Sequence, residues 1–178
     1  MATFIVLLRG INVGGRGTLA MKDFRALLEG LSYEGVATYI QSGNAVFAAK
    51  GKAAAVERAV GEAIEAAHGF RPDVIAMELG AFAKAAAANP YGETDPGRVH
   101  AFFLAEKPKN PDLAALAALA AGDEAFTLTD RVFFLHAPGG IGRSKLAAKA
   151  ERALGVPTTA RNMKTVAAIL ALAEGVPG

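Results

Sequence analysis

The stretch Phe4-Ile5-Val6-Leu7-Leu8, followed by Arg9-Gly10-Ile11-Asn12-Val13-Gly14-Gly15-Arg16-Gly17, sets the reading of this 178-residue chain. Five consecutive apolar residues, too few for a helix, predict a central strand covered on at least one face. The glycines that follow predict a loop, and a helix with Met21, Phe24, Leu27 and Leu28 on one side is predicted from Met21 to Gly30. Two short strands, Val36–Gln41 and Asn44–Ala48, are expected to pair as a hairpin around Ser42-Gly43. A second helix from Ala53 to His68 and a strand from Asp73 to Met77 complete the order βαββαβ. That order, with its central hairpin, predicts a ferredoxin-like antiparallel sheet backed by two helices.

Further along, a linking helix is expected over Glu78–Ala88, stopped by Asn89-Pro90. A strand at Val99–Leu104, a helix to about Ala121, and a hairpin of Ala125–Leu128 with Val132–His136 come next. Helices are then expected over Arg143–Leu154 and Asn162–Glu174, with no clear last strand. The whole therefore reads as α+β: a ferredoxin-like domain over residues 1–77 and a second, related but smaller α+β domain over 78–178.

Composition narrows the function. The chain has no cysteine, which excludes a disulfide scaffold, thiol chemistry and cysteine-bound zinc. The first apolar run is too short for a signal peptide, and no apolar run reaches the roughly 18 residues that cross a bilayer. A cytoplasmic protein is the expectation, without a membrane partner. Net charge is +2, yet Phe134 to Thr165 carries Arg143, Lys145, Lys149, Arg152, Arg161 and Lys164 against Glu151 alone. Such a stretch attracts an anionic ligand without making the protein a polyanion binder; cations on a solvated helix face give the same count.

The opening loop does not carry nucleotide chemistry. Gly15-Arg16-Gly17-Thr18-Leu19-Ala20 fits G-x-G-x-x-A, but six residues separate it from the strand. The following strand ends in Tyr39-Ile40-Gln41, without the carboxylate that holds a ribose, and no Gly-Lys-Ser/Thr closes the loop. The loop can instead offer backbone N–H groups and Arg9 or Arg16 to an anion, with the amide of Asn12. Gln41, Ser42 and Asn44 form a second polar group, although Asn44 also suits a role inside its own hairpin.

The third group is His136-Ala137-Pro138-Gly139-Gly140-Ile141-Gly142-Arg143-Ser144-Lys145, a histidine at a strand end before a flexible loop. Ser144 suits either a helix cap or an anion, and Arg143 and Lys145 oppose the dipole of the helix they begin. No G-x-S-x-G elbow or S-x-x-K pair is present. His68, His100 and His136 lack metal-ligand spacing, so no metal and no cofactor is implied. In Thr158-Thr159-Ala160-Arg161-Asn162, Arg161 suits a carboxylate or phosphate, or a buried bridge, and Asn162 or Thr159 suits a cap.

These blocks, Leu8–Gly15, Thr38–Asn44, His136–Lys145 and Thr159–Asn162, give the chain its resemblance to the bacterial domain-of-unknown-function family 1697. The resemblance extends over nearly the whole chain and implies a two-part α/β architecture with a ferredoxin-like first unit. It supplies no reaction. The residue after the Arg-Asn pair is often tryptophan in that family and is Met163 here, which favours apolar packing over ligand stacking.

The leading expectation is a binding protein for a small phosphorylated or carboxylated ligand in a cleft between the two units. Arg9, Asn12, Gln41, Ser42 and Asn44 would stand on one side, with Arg143, Ser144, Lys145, Arg161 and Asn162 opposite. An enzyme using the same cleft, with His136 as acid or base, is the rival. A single-stranded nucleic-acid binder is disfavoured, because the second and third strands offer only Tyr39 and Phe47. Monomer and homodimer both fit.

Overall fold

The computed structural model describes residues 1–177. Its first half contains β1 (Ala2–Leu8), α1 (Met21–Gly30), β2 (Glu34–Tyr39), β3 (Asn44–Ala49), α2 (Ala53–His68) and β4 (Val74–Glu78). The sheet runs β2-β3-β1-β4, with all three pairings antiparallel. This is the expected ferredoxin-like order, with β1 in the middle.

The continuous apolar character of β1 has a direct cause. Phe4, Val6 and Leu8 pack with Phe24 and Leu28 of α1 and Val56, Val60 and Ile64 of α2. Ile5 and Leu7, pointing the other way, are just as deeply buried. A strand buried on both faces does not alternate. At the hairpin, Gly43 is obligatory on two counts: its φ is +84°, and a Cβ there would stand 2.6 Å from Ile11 Cδ1 and 2.9 Å from Leu8 Cβ.

After α3 (Leu79–Ala87) come β5 (Val99–Leu104), α4 (Leu113–Leu119), β6 (Ala125–Leu128), β7 (Val132–His136), α5 (Lys145–Leu154) and β8 (Thr158–Asn162). Their sheet runs β6-β7-β5-β8, again fully antiparallel, so the second half repeats the first element for element. The expectation that this half lacks a last strand is therefore corrected. β8 is an edge strand paired to β5 alone, and its Thr-Thr-Ala-Arg-Asn sequence resembles a polar lead into α6 (Met163–Glu174). Its two β-branched threonines are the surviving propensity signal. The helix expected from Arg143 begins at Lys145, because residues 141–143 form a separate 3₁₀ turn.

Phe102, Leu104, Phe133 and Leu135 pack with Leu116 of α4 and Leu146, Ala150 and Leu154 of α5. The second helix of each sheet's βαββαβ run ends by the same device. Gly69 (φ +75°) donates to Glu65 O after α2, and Gly155 (φ +73°) donates to Glu151 O after α5, each bond 2.9 Å. A left-handed residue satisfies the final carbonyls at no Cβ cost when it is glycine.

The chain falls into two compact units, residues 1–84 with 167–178, and residues 85–166. Relative to the expected division at 77/78, residues 78–84 and the end of α6 group with the first unit. There Val176 and Pro177 pack over Gly35, which sits in a bulge of β2 at φ +63°. No helix among the described residues is long and apolar enough to cross a membrane.

Candidate functional site

In the first unit, the loop after β1 folds on itself. Arg16 N donates to Val13 O at 3.0 Å, with positive φ at both Gly14 and Gly15, the combination a type I′ turn requires. Asn12 then ties the base of this small finger. Its Nδ2 donates to Leu19 O (2.9 Å) and Gln41 O (2.8 Å), and its Oδ1 accepts from Leu19 N (2.8 Å). Asn12 sits at φ +54°, a conformation asparagine tolerates better than most residues. Both of its amide hydrogens are thus engaged in joining two loops.

Arg9 faces elsewhere. Its Nη1 lies 2.9 Å from Asp73 Oδ2, and its backbone N donates to Asp73 O at 3.0 Å. Asn44, 1% exposed, donates to Tyr39 O at 2.8 Å and Ser42 Oγ at 3.0 Å, so it stabilises its own hairpin. Gln41 has an exposed side chain and receives Asn12 at its carbonyl. Next to it, Ile40 has φ +47° and is 48% exposed. A β-branched residue in that region is strained, typically by about 1–3 kcal/mol, and the Asn12–Gln41 bond helps hold it there. Phe47 lies in the core, stacked on Tyr33 at 4.4 Å, and offers no surface to a nucleobase.

In the second unit, the register brings the remaining candidates to one end of the sheet. Val99 pairs with His136 on one side of β5, and His100 with Asn162 on the other. The His136 ring stacks on Tyr91 (5.7 Å, 28°), whose hydroxyl lies 2.9 Å from Thr127 Oγ1. Ala137 N donates to Arg98 O, and Gly140 N donates to Ala137 O, which closes the loop after β7. Ser144 is buried and accepts from Ala147 N at 3.0 Å, the N-cap of α5. Asn162 likewise caps α6 by accepting from Thr165 N at 2.9 Å.

Arg161 is 6% exposed and donates through Nη1 to Thr159 Oγ1 (2.7 Å) and Ala160 O (2.9 Å). Burial lowers its pKa to about 10, which leaves it charged at neutral pH. It lies on the same face of the sheet as His136. Two ladder spacings and two residues along the strands separate them, about 12 Å between Cα atoms.

Two cations join this end that sequence reasoning did not select. Arg98 Nη1 lies 2.9 Å from where a Cβ on Gly140 would stand, and Lys164 Nζ lies 3.3 Å from the same point on Gly97. The turn at residues 96–98 thus carries one cation against the loop after β7 and meets another at the start of α6. Arg143 and Lys145 flank the Ser144 cap and are exposed. Among the described residues, none of Arg98, Arg143, Lys145 and Lys164 has an ion-pair partner. Asp95 is the neighbouring carboxylate, and its Oδ1 caps the turn by accepting from Gly97 N at 2.8 Å. Arg98 escaped notice because it follows a Thr-Asp-Pro-Gly loop outside the basic stretch.

At the same end, His100 Nδ1 is buried without a hydrogen-bond partner among the described residues. Burial lowers the His100 pKa below its usual value.

The family described as "Protein of unknown function (DUF1697)" matches residues 1–134. The chain belongs to this family. The matched stretch contains the Arg9–Gly17 and Tyr39–Asn44 blocks of this DUF1697 protein, and the blocks from His136 onward lie beyond it. A similar solved structure is the conserved bacterial protein SP0830 from Streptococcus pneumoniae, 25% identical, with a TM-score of 0.68. The alignment covers 97% of this chain and 98% of that one. No curated protein matches the sequence. The family and the neighbour agree with two related α+β units, and neither names a reaction.

Proposed function

We propose that the protein binds a small anion, a phosphate or carboxylate group of a metabolite, at the end of the second unit's sheet. The observation that carries this reading is the gathering of unpaired cations around two glycines. Arg98 lies against Gly140 and Lys164 against Gly97, and Arg143 and Lys145 follow Gly140 on either side of the Ser144 cap. Asp95 is the neighbouring carboxylate and its Oδ1 is engaged with Gly97 N, so the positive charges outnumber it and an anion relieves their repulsion. Arginine adds a planar pair of donors suited to either oxyanion, and lysine adds a point charge. The glycines let the cations approach the backbone closely; an alanine at 140 would meet Arg98 Nη1 at 2.9 Å.

Within this reading Ser144 and Asn162 hold the starts of α5 and α6, and the cations do the binding. His136, stacked on Tyr91, borders the site through Ala137. A bound substrate that reacts would find an acid or base there, but the binding step stands without it.

Titration with inorganic phosphate and, separately, succinate, followed by amide chemical shifts, tests the proposal. The expected result is saturable shifts at Gly97, Arg98, Gly140 and Lys164. Arg98→Ala should weaken binding about tenfold, the loss of one charged hydrogen-bonding partner. Shifts that do not saturate, or that persist unchanged in both Arg98→Ala and Lys164→Ala, would overturn it.

A further inference from the structure

We infer a second ligand site, in the first unit, that takes a small zwitterion: an α-amino acid with an apolar side chain. It is a recess of about 390 Å³ walled by Arg9, Gly17, Phe70, Arg71, Pro72 and Asp73. That volume lies at the lower end of the range for small-molecule pockets.

The wall is built around Arg71. Gly61 is a buried residue in the middle of α2, where no turn requires a glycine and its φ is not positive. A Cβ at that position would stand 3.1 Å from Arg71 Nε and 3.6 Å from its Cζ. The absence of a side chain at 61 is what lets the guanidinium lie against the helix. Glu65 and Glu62 then hold it from the same helix, at 3.4 Å and 4.0 Å. A helix-interior glycine is unfavourable by itself, so its presence here fits a requirement for Arg71 in that place. Gly17 adds a second close approach in the lining: a Cβ there would meet Gly10 O at 3.1 Å and Phe70 Cε2 at 3.6 Å.

The charges select the ligand class. Arg9 and Arg71 face the recess, but so does Asp73, and Glu62 and Glu65 stand behind Arg71. A dianion would meet the Asp73 carboxylate and an Arg71 already partly neutralised by Glu62 and Glu65, and a simple cation would meet two guanidiniums. A molecule carrying both signs satisfies both. Asp73 uses Oδ2 for Arg9, and its Oδ1 has no partner among the described residues, so it can receive an ammonium group. The ligand carboxylate then faces Arg71, and its apolar side chain lies along Phe70 and Pro72.

The test compares three probes: L-phenylalanine, its decarboxylated amine 2-phenylethylamine, and its deaminated acid 3-phenylpropanoate. Titration followed by NMR should give saturable shifts at Gly10, Gly17 and Phe70 with L-phenylalanine. The amine and the acid should each bind about tenfold more weakly, since each lacks one charged contact. Gly61→Ala improves helix propensity and changes no lining residue, yet should weaken L-phenylalanine binding by displacing Arg71. Arg98→Ala, in the other unit, should leave it unchanged. Absence of saturable binding, equal affinity for the acid or the amine, or an unaltered Kd in Gly61→Ala would overturn the assignment.

Discussion

Two glycine-rich loops, residues 9–17 after β1 and residues 137–145 after β7, look alike in composition and behave differently. The first turns its polar groups inward. Asn12 bonds twice to carbonyls and once to an amide of neighbouring segments, and Arg9 is held by Asp73. The second closes with backbone bonds and the Ser144 cap, leaving Arg143 and Lys145 exposed and unpaired, while Arg98 lies against its Gly140. The lesson is that glycine and polar residues in a loop do not by themselves indicate a ligand site. What separates the two cases is whether the loop's own polar groups find partners within the chain; the recess beside the first loop relies for its ligand contacts on Arg71 and Asp73, from the segment before β4.

Substitutions can break this contrast. The largest effect is expected at Gly43→Ala, beside the first loop. The new methyl meets Ile11 and Leu8 at under 3 Å and the backbone stays at positive φ, so about 3 kcal/mol of stability should be lost in urea unfolding. Asn12→Ala should cost about 2 kcal/mol, because three hydrogen bonds and a tolerated left-handed residue go together. Ser144→Ala, which removes one cap in the second loop, should cost about 1 kcal/mol. Equal losses for Asn12→Ala and Ser144→Ala would remove the distinction between an inward and an outward loop.

A smaller effect concerns pH. His100 has its pKa lowered from 6.5 by burial, so the unfolded chain takes up a proton more readily than the folded one. Stability associated with neutral His100 is therefore complete above about pH 6.5 and falls as the pH drops toward the folded-state value. The midpoint of urea unfolding, followed through this window, should show a slope that His100→Gln removes. The least effect on folding is expected for Arg98→Ala, within about 0.5 kcal/mol of the parent protein. A large destabilisation there would mean that Arg98 holds the loop rather than serving a ligand.

The reading of elements from sequence was sound where one physical signal dominated. α2 and β7 run between the expected residues because their apolar stripe and their end signals agree. β8 was not legible, because an edge strand with polar residues lacks the apolar signal that marks a central one. Among the site candidates, the capping alternative for Ser144 and Asn162 follows from their place before a helix. The roles of Arg98 and Tyr91 were invisible, since both stand in a segment whose composition reports only that it is a loop.

The amino-acid sequence by itself determined the ferredoxin-like first unit, since period, turn chemistry and helix ends are local properties carried by neighbouring residues. It also determined the basic character of the C-terminal part and the absence of thiol chemistry. Tertiary structure alone decided that the second unit's repeat of the first is complete, because that depends on β8 finding β5 across more than fifty residues. It alone decided which cations go unpaired. Arg9 finds Asp73 and Arg71 finds Glu65, while Arg98 and Lys164 lie against glycines without an ion pair among the described residues. Whether a charge is satisfied is a property of distance in space, and sequence spacing does not encode it.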